Sequence, residues 1–251
     1  MAVRELTIMG GRDRQGEAEP IGELVVAAGQ TMAVVGPTGS GKSELLGDIE
    51  QMARGDTPSG RRVLLDGRPV EQTPLGLVAT LSQRTSFVMD ASVAVFVERH
   101  ASCLGKTGGG WVEQVLGLAN TLCGEPMAAN DRLQGLSGGQ TRALMIADLA
   151  LVSDAPVVLI DEVENAGIDK HRALAALARR GKIILTATHD PVLMLMNQRR
   201  VVMGQGGMRA VIGMDAEEGR CLEQLSQLDA ALLQARDRLR QGRRLRLEEL
   251  S

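Results

Sequence analysis

The sequence predicts an α/β fold in which a sheet covered on both faces carries an inserted helical lobe. Three observations lead there. Pro156–Ile160 and Ile183–Ala187 are continuous apolar runs of strand length, the pattern of strands buried on both sides. Such runs alternate with segments of helical spacing, as an α/β core requires. The stretch 88–145 is mostly helical in pattern, broken by Gly105–Gly110, which reads as a flexible loop.

The elements follow in order. Thr31–Val35 reads as a buried strand ending in a glycine loop. Ser43–Met52 follows as a helix, with Leu45, Leu46, Ile49 and Met52 near helical spacing. Arg62–Gly67 reads as a strand and turn, and Leu77–Leu81 as a short strand. Gln140–Val152 reads as a helix, and Arg200–Val211 as a hairpin around Gly204–Gly207. The expected division is one domain over 1–215, with the lobe at about 88–145, and a helical tail over 216–251. In the tail, Leu222, Leu225, Leu228, Leu232 and Leu239 fall near helical or heptad spacing, beside Arg236, Arg238, Arg240, Arg243, Arg244 and Arg246. Two readings fit: a helix packed on the body with a solvated basic end, or a partner-binding or dimerising helix.

Composition narrows the function classes. The 251 residues suffice for one core, or one core with a smaller lobe. A formal net charge of −3 gives no general attraction to nucleic acid or an anionic membrane. Phe87, Phe96 and Trp111 are the only aromatics, too few for base stacking, so no nucleic-acid partner is expected. Cys103, Cys123 and Cys221 are odd in number and lack metal-ligand spacing; they read as buried reduced thiols in the cytosol. No signal-peptide pattern and no run of roughly 20 apolar residues is present. The expected location is cytoplasmic or peripheral on the cytoplasmic face of a membrane.

The chemistry sits in three motifs. Gly36-Pro37-Thr38-Gly39-Ser40-Gly41-Lys42-Ser43 lies between a strand and a helix and fits the phosphate-loop pattern. Glycines let the backbone curl so that successive N–H groups and the helix N-terminus hold phosphate oxygens. Lys42 supplies a charge for the β and γ phosphates, and Ser43 a hydroxyl for Mg²⁺. Four apolar residues then end in Asp161-Glu162. Asp161 can hold Mg²⁺ through water, and Glu162 can polarise an attacking water. These two motifs describe a P-loop NTPase. The third, Leu136-Ser137-Gly138-Gly139-Gln140, opens a helix and precedes the acidic strand.

That pentapeptide resembles, in full, the signature motif of the ATP-binding-cassette (ABC) ATPases. The resemblance covers roughly residues 20–212 in family order. It implies a P-loop NTPase core with a mixed sheet, an antiparallel β subdomain (Leu64–Val70 resembles part of it) and the helical lobe. It also implies a head-to-tail homodimer, or a pairing with a related cassette. There Ser137, Gly138, Gly139 and Gln140 bind in trans the γ-phosphate of ATP held by the other protomer. Gln83 resembles the glutamine that touches Mg²⁺ and water, His189 the switch histidine, and Ala166-Gly167-Ile168-Asp169 the segment that crosses the dimer interface. The implied catalytic set is Glu162, His189, Gln83 and Lys42, with Mg²⁺ held by Ser43, Gln83 and Asp161 and ATP as substrate. His100 and His171 read as surface residues.

The sequence departs from the family pattern in places. Residues 1–35 hold no aromatic to stack on adenine; Arg12 or Arg14 could stack a guanidinium plane instead, or be solvated. Proline is missing after Glu162, and the segment to Asp169 is longer than the common spacing. Glu44 stands where a small hydroxyl residue is frequent and is expected to face solvent. The leading function is the ATPase subunit of a transporter, coupled to a membrane permease. The alternatives are a soluble ATPase that assembles, activates or remodels a protein partner, and a nucleotide-gated binding module with little turnover.

Overall fold

A computed structural model of the chain describes residues 3–71, 76–82, 86–106, 108–161 and 168–246. The first strands are β1 (Glu5–Met9), β2 (Glu23–Ala27) and β3 (Thr31–Val35), followed by helix α1 (Lys42–Glu50). Next come β4 (Arg62–Leu65), β5 (Arg68–Pro69) and β6 (Val78–Ser82), then helices α2 (Val93–Cys103), α3 (Trp111–Leu122) and α4 (Gly138–Leu151). The chain continues through β7 (Val157–Asp161), α5 (Lys170–Ala178), β8 (Ile183–Ala187), α6 (Pro191–Met196), β9 (Arg199–Gly204), β10 (Gly207–Gly213) and α7 (Ala216–Arg240).

Among the described residues two sheets form. β2-β1-β4-β5 is antiparallel, and the second sheet has the order β10-β9-β3-β8-β7-β6. From β9 to β6 the second sheet is parallel, and β10 closes its edge antiparallel. The apolar runs explain this placement. Successive side chains of a strand point to opposite faces. In β7, Val157 and Leu159 enter a core shared by α1 and the antiparallel sheet, whereas Val158 and Ile160 enter one shared by α2, α3, α4 and α5. β8 divides the same way, with Ile183 and Leu185 on one side and Ile184 on the other. A strand that serves two cores has no face left for polar residues, hence the unbroken hydrophobic run.

Element ends shift from the sequence reading. The helix expected from Gln140 begins at Gly138, because Ser137 caps it and draws both glycines into the first turn. The helix expected to reach Met52 stops at Glu50; Met52 takes φ +52 and its N–H bonds to the Ile49 carbonyl. The cysteines correct an expectation. Cys103 and Cys221 are exposed, and Cys123 is half-buried. Cys221 lies near the start of a helix that packs on the body along one side only, so its thiol faces out.

His100 is also more than a surface residue. Its Nδ1 lies 2.8 Å from an Asp148 carboxylate oxygen, joining α2 to the buried part of α4. That hydrogen bond raises the imidazole pKa above its ordinary value, against the downward pull of burial. His171 is exposed, with Nε2 3.4 Å from Ser226 Oγ.

Candidate nucleotide site

β3 runs through the centre of the parallel sheet and delivers the 36–43 loop at its C-terminal edge. The loop needs its glycines for two separate reasons. Gly36 has φ +148, and a Cβ there would come within 2.5 Å of the Met203 carbonyl oxygen. Gly41 has φ +102, and a Cβ there would meet the Cα of Gly206 at 2.8 Å. The loop is thus pressed against the β9–β10 turn, and Gly206 N–H donates to the Ser40 carbonyl at 2.9 Å.

Gly41 is the N-cap of α1, and no side chain caps that helix. Its first-turn N–H groups therefore gain nothing from a capping side chain and carry the positive end of the helix dipole. Lys42 is buried. Its Nζ donates to the Gly36 carbonyl at 2.8 Å and the Pro37 carbonyl at 3.3 Å, and lies 3.1 Å from His189 Nε2. The hydroxyl of Ser40 is buried without a hydrogen-bond partner, an arrangement that costs free energy unless an acceptor completes it. Ser43 is exposed at the start of α1.

The structure brings Lys42 and His189 together although 147 positions separate them. β3 and β8 are parallel neighbours, so the segments after both strands emerge side by side. Asp161 ends β7, the next strand, in register with Ala187 of β8 and Ser82 of β6. Gln83 and Glu162 lie outside the described residues, as do Ala166 and Gly167. Ile168 is buried, and Asp169 caps α5 by accepting from Arg172 N–H at 3.0 Å.

Ser137 stands apart from this group. It caps α4 in a reciprocal box: Gln140 N–H donates to Ser137 Oγ at 3.3 Å, and Ser137 N–H to Gln140 Oε1 at 2.9 Å. Gln140 Nε2 also reaches the Glu125 and Pro126 carbonyls. Ser137 and Gly138 are exposed.

Three features of the site escaped the sequence reading. Arg61 is fully buried. It donates to Glu19 at 2.5 Å, to Asp48 at 2.8 Å and to the Gly206 carbonyl at 2.6 Å. Burial alone pulls its pKa down, and the two carboxylates more than reverse that. Glu19 also accepts from Gly11 N–H and Met208 N–H. One guanidinium thereby ties the 10–19 segment, α1 and the β9–β10 turn beneath the phosphate loop. Arg14 is exposed, but its Nη1 donates to the Gly39 carbonyl at 2.8 Å, while Arg12 donates to Gly16. Glu44, expected in solvent, is half-buried. Together with Arg12, Asp13, Arg14, Gly16, Pro58 and Gly206 it lines a cavity of about 290 Å³ beside the loop. Asp13 shapes that wall; its carboxyl is held below the usual range by Arg209 and by the Gln15 and Glu17 amides.

Residues 23–165 match the family model described as ABC transporter. That span includes the phosphate loop, the Ser137 helix cap and the acidic end of β7. The chain belongs to the ATP-binding-cassette (ABC) ATPase family. The cassette is 47% identical over its whole length to an uncharacterised ABC transporter ATP-binding protein of Methanocaldococcus jannaschii, 98% of which is covered. It is 31% identical to the ATP-dependent lipid A-core flippase of Bordetella pertussis, across 73% of this chain but only 31% of that one. Among solved structures it is similar to cbiO1 of the Clostridium perfringens cbiONQ transporter complex (TM-score 0.61, 20% identity, 84% of this chain and 89% of that one). It is also similar to a dimeric cassette bound to ADP and phosphate (TM-score 0.60, 19% identity, 84% and 99%). The cassette therefore has the expected fold class, a P-loop NTPase core with mixed and antiparallel sheets and attached helices. No described helix is long and apolar enough to cross a membrane.

Proposed function

We propose that the cassette binds and hydrolyses Mg-ATP at the 36–43 loop and that two copies close head to tail over two nucleotides to drive a membrane permease. One observation carries the reading: the α1 N-terminus has no capping side chain, and Lys42 lies beneath its loop 3.1 Å from His189. A phosphate chain would take the Lys42 ammonium from the Gly36 and Pro37 carbonyls, and its oxygens would face the loop amides and the Ser40 hydroxyl. His189 would then contact the terminal phosphate. The cavity walled by Arg12, Arg14 and Glu44 adjoins the same loop and suits the base and ribose, with the exposed Arg14 guanidinium as the stacking surface.

The donor set suits Mg²⁺. Ser43 offers a hydroxyl and Asp161 a carboxylate, the hard oxygen donors this ion takes in small number when phosphates complete its shell. Gln83 is assigned the remaining contact. The bound ion would offset charge on the phosphates. Glu162 is assigned to orient the attacking water. Ser137, Gly138, Gly139 and Gln140 are assigned to the nucleotide of the other copy. The ATPase domain would span 1–215 and the tail 216–251.

The test uses the Glu162→Gln variant, tagged, with Mg-ATP in the native host. The proposal expects retained ATP binding, lost turnover, and recovery of a polytopic membrane protein. Recovery of a soluble enzyme or scaffold, with membranes empty, would replace the permease by a soluble partner. Wild-type turnover no faster than that of the variant would leave a nucleotide-gated binding module.

A further inference from the structure

His189 is exposed, although its Nε2 lies 3.1 Å from the Nζ of the buried Lys42. An exposed ring takes its place chiefly from the backbone that carries it. That backbone is the turn 188–190 between β8 and α6, and it is held on both sides of the histidine. Before it, Thr188 is buried, and its N–H donates to the Val34 carbonyl of β3 at 3.4 Å. After it, Asp190 N–H donates back to Thr188 Oγ1 at 3.0 Å. The Asp190 carboxylate divides its oxygens. Oδ1 accepts from Leu193 N–H at 3.0 Å and caps α6, while Oδ2 accepts from Lys170 Nζ at 2.5 Å.

Lys170 stands where helix electrostatics disfavours it. It is the first residue of α5, and a cation there opposes the helix dipole. α5 has no need of it as a cap, because Asp169 already accepts from Arg172 N–H. The lysine is nonetheless drawn in. The side chains of Lys170 and Asp190 are only 14% and 15% exposed, and a second carboxylate, Asp229 of α7, stands 3.6 Å from the same Nζ. A charge-assisted contact so far removed from water is strong and little screened by salt. Burial pushes the Asp190 carboxyl up, and the contacts with Lys170 and the Leu193 amide more than reverse that. The lysine is also fixed from behind, since Asp169 N–H donates to the Leu122 carbonyl of α3 at 2.7 Å. A firmly seated cation therefore grips the residue next to His189.

We infer that Lys170 is a positioning residue for ATP hydrolysis: by holding the Asp190 carboxylate it sets the 188–190 turn so that His189 stays beside the phosphate loop. The inference rests on the reading of that loop as the phosphate site. Lys170 acts through Asp190 and need not touch nucleotide. Its loss should spare ATP binding, which Lys42 and the loop amides carry, and slow the step that needs His189 at the terminal phosphate.

The chain has three histidines, so imidazole proton NMR of the full chain separates them, and the signal absent from His189→Gln belongs to His189. Tripolyphosphate is the probe. In the wild type it should shift that signal. In Lys170→Met it should bind as tightly and leave the signal largely unmoved. In steady-state turnover the same variant should lose roughly ten- to a hundredfold in kcat, with KM for ATP little changed. Asp190→Asn keeps an acceptor for Leu193 N–H, so α6 keeps its cap; it should reproduce both effects. A His189 signal that responds equally in the wild type and both variants overturns the inference, as does one that fails to respond to probe bound by the wild type. Lower kcat with the His189 response intact also overturns it, because Lys170 would then act elsewhere. If tripolyphosphate does not bind the wild type at all, the phosphate-site reading falls and takes the inference with it. The wild-type titration tells the two failures apart.

Discussion

Helices α1 and α4 both begin on glycine-rich segments, yet their first turns are finished differently. At α1 the N-cap is a left-handed glycine without a side chain, Gly36 and Gly41 of the loop press against the β9–β10 hairpin, and a buried lysine lies underneath. At α4 a serine and a glutamine close the cap on each other, and the turn is exposed. Both termini concentrate positive potential. Of these two, α1 alone leaves its amides without a side-chain competitor inside one chain. The α4 cap is stable by itself, so an anion from another copy would have to compete with the Ser137 hydroxyl or share it. The proposed use of one anion site in cis and one in trans is consistent with this difference in local chemistry.

The largest expected effect tests what holds the α1 loop in place. Arg61→Met should cost about 3–5 kcal/mol of folding stability, because Glu19 and Asp48 would be left buried without their counter-charge. Chemical denaturation measures it. A loss under 1 kcal/mol would mean that the phosphate loop does not depend on the strut beneath it.

Lys42→Ala comes next. Removing a charge-assisted contact to phosphate should weaken ATP binding to the protomer by about 1.5–3 kcal/mol, roughly 10- to 150-fold. Calorimetry with tripolyphosphate beside ATP sharpens the result: both should weaken alike if Lys42 contacts only the phosphates, as proposed. Arg14→Ala should spare tripolyphosphate and weaken ATP alone.

At α4 the expected effect is smaller and of a different kind. Ser137→Ala should cost about 1 kcal/mol of stability through the lost cap and leave ATP binding to the isolated protomer unchanged. Weaker binding of ATP to a monomeric Ser137→Ala protein would erase the distinction between the two termini.

The smallest effect concerns the tie between α2 and the buried side of α4. The His100 pKa is raised in the folded chain by its Asp148 hydrogen bond. Its contribution is therefore fully present below the unfolded value of 6.5 and is lost as pH rises through the higher folded value. His100→Ala should destabilise the chain by under 1 kcal/mol, more at acid than at alkaline pH. Equal destabilisation at both would show that packing, not charge, carries the contact.

The sequence made some elements legible for identifiable reasons. β3, β7 and β8 were found within one residue because a strand buried on both faces needs an unbroken apolar run. The hairpin of β9 and β10 was found because its glycines mark the turn. Lys42 and Ser137 came from motifs in which spacing and chemistry are inseparable. The exposed cysteines and the half-buried Glu44 were misread, because exposure is a property of what packs nearby and leaves no periodic trace in one residue.

The sequence by itself determined the α/β class, the phosphate-loop pattern, the signature pentapeptide at the head of a helix and the family, since each is a local pattern whose physics acts over a few neighbouring residues. Tertiary structure alone decided that Lys42 meets His189, that Arg61 braces Gly206 beneath the loop, that Arg14 reaches Gly39, and which face of α7 stays in water. These pairings join segments tens to more than a hundred positions apart. No local rule specifies such partners; the order of strands in the sheet and the burial of one guanidinium do.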